Sequence, residues 1–155
     1  MKLNSFAGEI IYSDKIQKDI FDGIYETERL CIADGWSKNA LECDINKNNT
    51  YYTAAFFHNE VVGFCGITYV CGEAEITNIA VKPQYRGNGI AQNLLKRIFK
   101  FCSLNNINAI YLEVREHNKP ALNLYTKSGF LKIGIRKNYY TDTSENAINM
   151  KKSIN

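Results

Sequence analysis

Between Glu73 and Val114 the chain changes its hydrophobic period twice, and few folds accommodate that pattern. "EAEITNIAV" (73–81) reads as a strand, and Pro83 ends it. From about Asn88 to Leu104 the period becomes 3.6, with Ile90, Leu94, Leu95, Ile98, Phe101 and Cys102 on one face of a helix. "NAIYLEV" (108–114) is a second strand, with Ile110, Leu112 and Val114 pointing one way and Tyr111 and Glu113 the other. A single helical crossover from Val81 to Ala109 makes the two strands parallel neighbours.

The flanking segments extend this unit into a mixed α/β domain. Upstream, "YYTAAFFHNEVVGFCGITYV" (51–70) reads as two strands joined at His58-Asn59-Glu60. A turn at Cys71-Gly72 leads from there into 73–81, which makes an antiparallel meander. The first forty or so residues read as helical: Ile16, Ile20 and Ile24 recur every four positions, and Ser37 is placed to cap a short second helix through Leu41. Downstream, "KPALNLYTKSGF" reads as a short helix with Pro120 in its first turn and Gly129 at its C-terminal cap. "LKIGIRKNYY" and "NAINMKK" close the chain as strands around a polar loop from Thr141 to Asn146. Repeats and linkers are absent, so residues 1–155 are expected to form one domain, and an apolar fraction of 45% is enough for its core.

Composition narrows the function classes. A net charge of +3 without a clustered basic tract predicts no nucleic-acid partner. No apolar run reaches transmembrane length and "MKLNSFAGEI" has no signal-peptide core, so no membrane partner is expected either. Cys31, Cys43, Cys65, Cys71 and Cys102 are odd in number and scattered, which predicts reduced thiols, mostly core filler, in a cytoplasmic protein. The two histidines, His58 and His117, are isolated, and no metal site is expected. No histidine lies near Cys65, Cys71 or Cys102 in sequence to activate an acyl-cysteine route.

The strand-to-helix junction, "QYRGNGIAQNLL" (84–95), is where chemistry enters. Glycine is the commonest turn residue, so a plain turn is one reading. A dinucleotide fingerprint requires a small residue where Gln92 stands and a following acidic residue, and a nucleotide P-loop requires Gly-Lys before Ser or Thr; both are absent. The remaining reading is a pyrophosphate cradle. Successive N–H groups at a helix start, with little side chain in the way, form an anion site, and Arg86 adds positive charge.

Arg86, Gly89 and Ala91 fit motif A of the GNAT superfamily of N-acetyltransferases: Arg or Gln, two residues, Gly, one residue, then Gly or Ala. The chain resembles that superfamily through "TNIAVKPQYRGNGIAQNLL", "YLEVREHNKPALNLYTKSGF" and "RKNYYTDTSENAINM", most of the stretch from Thr77 to Met150. Within it the similarity is to the RimI branch, bacterial enzymes that acetylate the N-terminal alanine of the eighteenth small-subunit ribosomal protein. Trp36-Ser37 resembles the branch as well, whereas Gly35 stands where a proline is common.

The resemblance implies the GNAT fold, a mixed central sheet with an antiparallel meander, a splayed parallel strand pair and flanking helices. It implies acetyl-coenzyme A (acetyl-CoA) as donor and a ribosomal protein N-terminus as acceptor. Pantetheine is then expected against the backbone of Ile79, Ala80 and Val81, as an added strand would sit. The pyrophosphate falls to the backbone of Arg86, Gly87, Asn88, Gly89, Ile90, Ala91 and Gln92. Asn118 matches a cofactor contact, although an asparagine there also suits a helix cap. Glu113 matches the family's base and Tyr125 its acid. An α-amino group has a pKa of about 7.7–8.0, so a modest base suffices. Trp36, Tyr139 and Tyr140 are expected to line the acceptor slot. Plainer readings stand beside these: core burial for Ile79 and Val81, a solvated strand end for Glu113, and a core tyrosine with its hydroxyl at the surface for Tyr125. Lys96, Arg97 and Lys100 read as a solvated helix face or as a contact for the 3′-phosphate. Nothing in the sequence demands a subunit interface, and a monomer suffices. Two other functions remain open: a GNAT enzyme for another protein terminus, a lysine or a small amine, and a non-catalytic acetyl-CoA sensor.

Overall fold

A computed structural model describes residues 8–155. In chain order the elements are β1 (Ile11–Ser13), α1 (Lys18–Cys31), α2 (Lys38–Ile45), β2 (Thr50–Phe57), β3 (Glu60–Val70), β4 (Glu73–Val81), a 3₁₀ turn (Pro83–Tyr85), α3 (Ile90–Leu104), β5 (Ala109–Arg115), α4 (Lys119–Lys127), β6 (Leu131–Tyr140) and β7 (Glu145–Ser153). The strands form a seven-stranded sheet of order β1-β2-β3-β4-β5-β7-β6. The expected parallel pair is β4–β5, in register from Glu73–Ala109 to Glu75–Tyr111, while β5 pairs antiparallel with β7 along its whole length. Among the described residues no helix is long and apolar enough to cross a membrane.

The chain divides into two compact units, Met1–Thr68 with Thr77–Ile98, and Tyr69–Ile76 with Phe99–Asn155. In the first, Phe21 and Ile24 of α1 and Leu41 of α2 pack on Tyr52, Ala54, Val61, Phe64 and Ala80 of the sheet. Burying a side chain such as Ile24 contributes about 1.5–3 kcal/mol. Ser37 caps α2, its hydroxyl accepting the Ala40 N–H at 3.2 Å. The β2–β3 turn holds His58 and Asn59 at positive φ, 47° and 66°, as a two-residue hairpin of this hand requires.

The second unit is built on alternation. Ile110, Leu112 and Val114 of β5 and Ala147, Ile148 and Met150 of β7 are buried. Phe130 packs against Phe99 and edge-on against Tyr125. Pro120 does lie in the first turn of α4. The helix ends in a Schellman arrangement: Gly129 has φ 92°, and the Phe130 N–H donates to the Tyr125 carbonyl at 3.0 Å.

Four expectations need correction. The N-terminal region is not helical throughout, since Ile11–Ser13 is a strand paired with Ala54–Phe56 and Ile16 precedes the helix. A three-residue strand is defined by its distant partner and has no period of its own. Helix α3 starts at Ile90, not Asn88, because Gly87 and Gly89 hold positive φ. The polar loop after β6 ends earlier than read, because Glu145 already pairs with Tyr140. Of the cysteines only Cys65 and Cys102 are buried, with the Cys102 thiol pushed up to about 11 by burial; Cys43 and Cys71 are exposed.

Candidate active site

In the first unit the glycine junction is a loop whose side chains hold its own backbone. Lys82 is buried, its ammonium 2.6 Å from Glu60, and its N–H donates to the Val62 carbonyl. Arg86 Nε donates to the Val81 carbonyl at 2.9 Å, and the Cys31 thiol lies 3.5 Å from the same oxygen. That carbonyl is therefore engaged within the protein. The Asn88 amide donates to the carbonyls of Tyr85 (2.8 Å) and Arg86 (3.0 Å), and the Gly89 carbonyl accepts the Asn93 N–H at 3.0 Å to open α3. Gly87 and Gly89 have φ of 80° and 75°, and a Cβ built on either would meet nothing within 4 Å. Glycine is thus required here by conformation, and the space in front of both residues is open. A turn of positive-φ glycines facing open space, ahead of a helix N-terminus, suits an anion.

The neighbouring basic residues divide. Arg97 is committed to structure: its guanidinium pairs with Asp14 at 2.7 Å and donates to the Thr53 hydroxyl at 3.0 Å. Arg97 is thus not a simply solvated side chain of the helix face, while Lys96 and Lys100 are exposed. Trp36, on the turn between α1 and α2, is half-buried against the core cluster. Ala80 and Val81 are buried and Ile79 is half-buried.

In the second unit Glu113 is partly exposed on β5. Arg136 Nε lies 3.2 Å from its carboxylate. The carboxylate also accepts the Tyr139 hydroxyl, and this holds the Tyr139 phenol above its ordinary value. Burial does the same for Tyr140. The two tyrosine rings meet edge-on at 5.1 Å, and the Arg115 guanidinium lies 3.9 Å from the Tyr140 centroid. Arg115 is itself clamped by both oxygens of Asp142, each at 3.0 Å. A register irregularity between Arg136 and Tyr140, with Asn138 at φ 53°, interrupts the alternation of β6; Arg136 and Tyr139 both reach Glu113.

Tyr125 on α4 is 6% exposed, its ring 5.6 Å from Phe130. Asn118 is the α4 cap, its side chain accepting the Ala121 N–H at 3.3 Å. Among the expected residues, then, Glu113 and Tyr139 join directly with Tyr140 beside them, Tyr125 and Asn118 belong to the same unit, and Trp36, Ile79–Val81 and Arg86–Gln92 belong to the first. The sequence reading passed over Arg136 and Asn149. Asn149 sits opposite Glu113 in the β5–β7 register, and its Oδ1 is buried with no hydrogen-bond partner among the described residues. Arg136 lies inside "RKNYY", but only the bulge reveals its partner; Asn149 needed the register. Among the described residues no cluster of acidic, cysteine or histidine side chains forms a metal site.

The fold is that of the GNAT acetyltransferases. The chain belongs to the GNAT acetyltransferase family, whose profile matches residues 19–130. Enzymes of this family take their acetyl group from acetyl-CoA. The chain is 38% identical over 135 residues to a Bacillus subtilis protein provisionally named a [ribosomal protein bS18]-alanine N-acetyltransferase, covering 86% of this chain and 89% of that one. It is 35% identical over 134 residues to the [ribosomal protein bS18]-alanine N-acetyltransferase of Haemophilus influenzae, covering 84% and 90%. The crystal structure of the ribosomal-protein-S18-alanine N-acetyltransferase from Escherichia coli matches with a TM-score of 0.86 at 28% identity over 94% of each chain.

Proposed function

We propose that this enzyme acetylates the N-terminal α-amine of ribosomal protein bS18, at alanine. The observation that carries this reading is the near-full-length similarity to relatives named for that reaction. When bound, acetyl-CoA supplies an acetyl group activated as a thioester. The backbone of Arg86–Gln92 is the proposed pyrophosphate site; the open, positive-φ glycines at 87 and 89 fit such a ligand. Ile79, Ala80 and the N–H of Val81 are assigned to pantetheine, the Val81 carbonyl being already engaged. Asn118 Oδ1 caps α4, so any cofactor contact from Asn118 is assigned to its amide nitrogen.

Glu113 is assigned as the base that takes the proton from the acceptor's ammonium, directly or through a water. Its contacts with Arg136 and Tyr139 fix where the carboxylate points. The freed amine attacks the acetyl carbonyl carbon, the C–N bond forms and the C–S bond breaks. Tyr125, buried against Phe130, is assigned to give its phenolic proton to the departing sulfur, and the proton that the attacking nitrogen sheds as the amide forms restores the phenol by way of solvent. Tyr139 and Tyr140 of the second unit are assigned to the peptide wall, where flat amphipathic rings suit an extended terminus, and Trp36 of the first unit is assigned by itself as an acceptor contact.

The test is coenzyme A release with four acceptors: a peptide bearing the alanine terminus, the same peptide blocked at its α-amine, a lysine peptide and a polyamine. Turnover confined to the free alanine terminus is the expected result. Turnover on the lysine peptide or the polyamine alone would move the acceptor to another amine class.

A further inference from the structure

In the first unit two buried polar atoms lack a hydrogen-bond partner among the described residues: Glu28 Oε2 on α1 and Asn78 Oδ1 on β4. The residues are 1% and 5% exposed. Their other atoms meet, Asn78 Nδ2 donating to Glu28 Oε1 at 2.5 Å. A carboxylate can only accept, as can the amide oxygen. An ionised Glu28 would therefore leave two acceptors unpartnered and a buried charge with no counter-ion among the described residues, the costly case for both. Among the described residues no cation acts on it: the influences on Glu28 are burial, which raises its proton affinity, and the Trp36 N–H and Asn78 amide, which oppose. From β2 the titratable neighbour is Tyr52, whose hydroxyl is given to Asp44 of α2, and on α1 itself Glu26 and Arg29 are exposed.

One proton resolves both orphans. Placed on Glu28 Oε2, it would donate to Asn78 Oδ1 and close the two side chains into an acid–amide ring of two hydrogen bonds. The ring has a third connection, because Glu28 Oε1 also accepts the backbone N–H of Trp36 at 3.4 Å. Gly35 keeps that turn close: a Cβ there would come within 3.2 Å of Glu28 Cγ and of the Ile32 carbonyl.

We propose that Glu28 is a positioning residue held as the neutral acid, closing a ring with Asn78 that pins the Trp36 turn to the strand carrying Ile79. The positioning role rests on the reading of Trp36 as an acceptor contact and Ile79 as a cofactor contact; the protonation state does not.

Three variants and two readouts test it. Glu28→Gln replaces the O–H donor by N–H in the same shape, so the ring persists and the peptide KM stays at its wild-type value. Glu28→Ala and Asn78→Ala open the ring and raise the peptide KM about tenfold, the acetyl-CoA KM changing less. Equal losses in Glu28→Gln and Glu28→Ala would overturn the proposal, because a working carboxylate would then be required. Infrared difference spectra at neutral pH, wild type against Glu28→Gln, are expected to show a protonated carboxyl C=O band; its absence also overturns the proposal. That measurement needs no turnover, so it stands even if the acceptor reading fails. The pH dependence has a definite sign. An acid whose folded pKa is raised contributes stability that is full at low pH and lost as pH rises through the folded value. The wild type should therefore lose Tm relative to Glu28→Gln as pH rises from the ordinary glutamate range toward the folded value, and a constant difference would contradict a neutral Glu28.

Discussion

The glycine loop ahead of α3 and the Glu113 cluster on β5, β6 and β7 are held together in opposite ways. In the loop, side chains serve the backbone: Arg86 Nε and the Asn88 amide donate to carbonyls, and the glycines present bare chain to open space. In the cluster, backbone serves side chains. Two ladders set Glu113 opposite Asn149, and Arg136 and Tyr139 both reach the carboxylate across a break in the β6 register. A backbone site tolerates most side-chain changes but not a change of φ. A side-chain site tolerates backbone-neutral changes but not the loss of one functional group.

Glu113→Gln should separate the two most sharply. The amide keeps an acceptor for Tyr139 but is not a base, so kcat should fall about 10²- to 10⁴-fold while acetyl-CoA affinity holds. A variant that turns over normally would remove Glu113 from the chemistry. Tyr125→Phe preserves the edge-on packing with Phe130 and deletes only the hydroxyl. A kcat lower by about 10²-fold with Tm nearly kept is expected; a Tm loss with kcat intact would make Tyr125 a core residue only.

Gly89→Val attacks the loop. At φ 75° a β-branched residue is strained, by about 1–2 kcal/mol, so acetyl-CoA affinity should drop about tenfold. Saturating kcat should survive, and isothermal titration against steady-state kinetics reads the split. If affinity were untouched, the loop would be an ordinary turn.

The smallest effect belongs to Asp142→Asn, beside the cluster. Hydrogen bonds from Arg115 hold the Asp142 carboxyl below the usual carboxylate range. A group with a depressed folded pKa contributes stability above its unfolded pKa and loses it as pH falls through the folded value. The variant should show a slightly lower Tm at neutral pH and converge with the wild type in acid. Thermal melts across that range check the sign, and the clamp's exposure keeps the effect modest.

Much of this was legible beforehand, unevenly. The β3–β4–α3–β5 order followed from the changes of period, and the glycine loop from a run of adjacent residues. The α4 cap at Gly129 followed from local turn chemistry, as did the β2–β3 turn, read over His58-Asn59-Glu60 although Glu60 already pairs with Phe57 in β3. Strand β1, Arg136, Asn149 and the Glu28–Asn78 pair were not legible, although every residue was in view. Their partners lie far along the chain: Glu28 and Asn78 are 50 positions apart.

By itself the sequence determined what depends on neighbours within a few positions: helix faces, strand alternation, caps, turns and the backbone conformation that its glycines permit. Only the tertiary structure decided which ladders pair in which register, where β6 breaks its alternation, and which carboxyl is buried beside an amide. Period and propensity are properties of a local segment. Register and desolvation come into existence only when distant segments meet and water leaves between them.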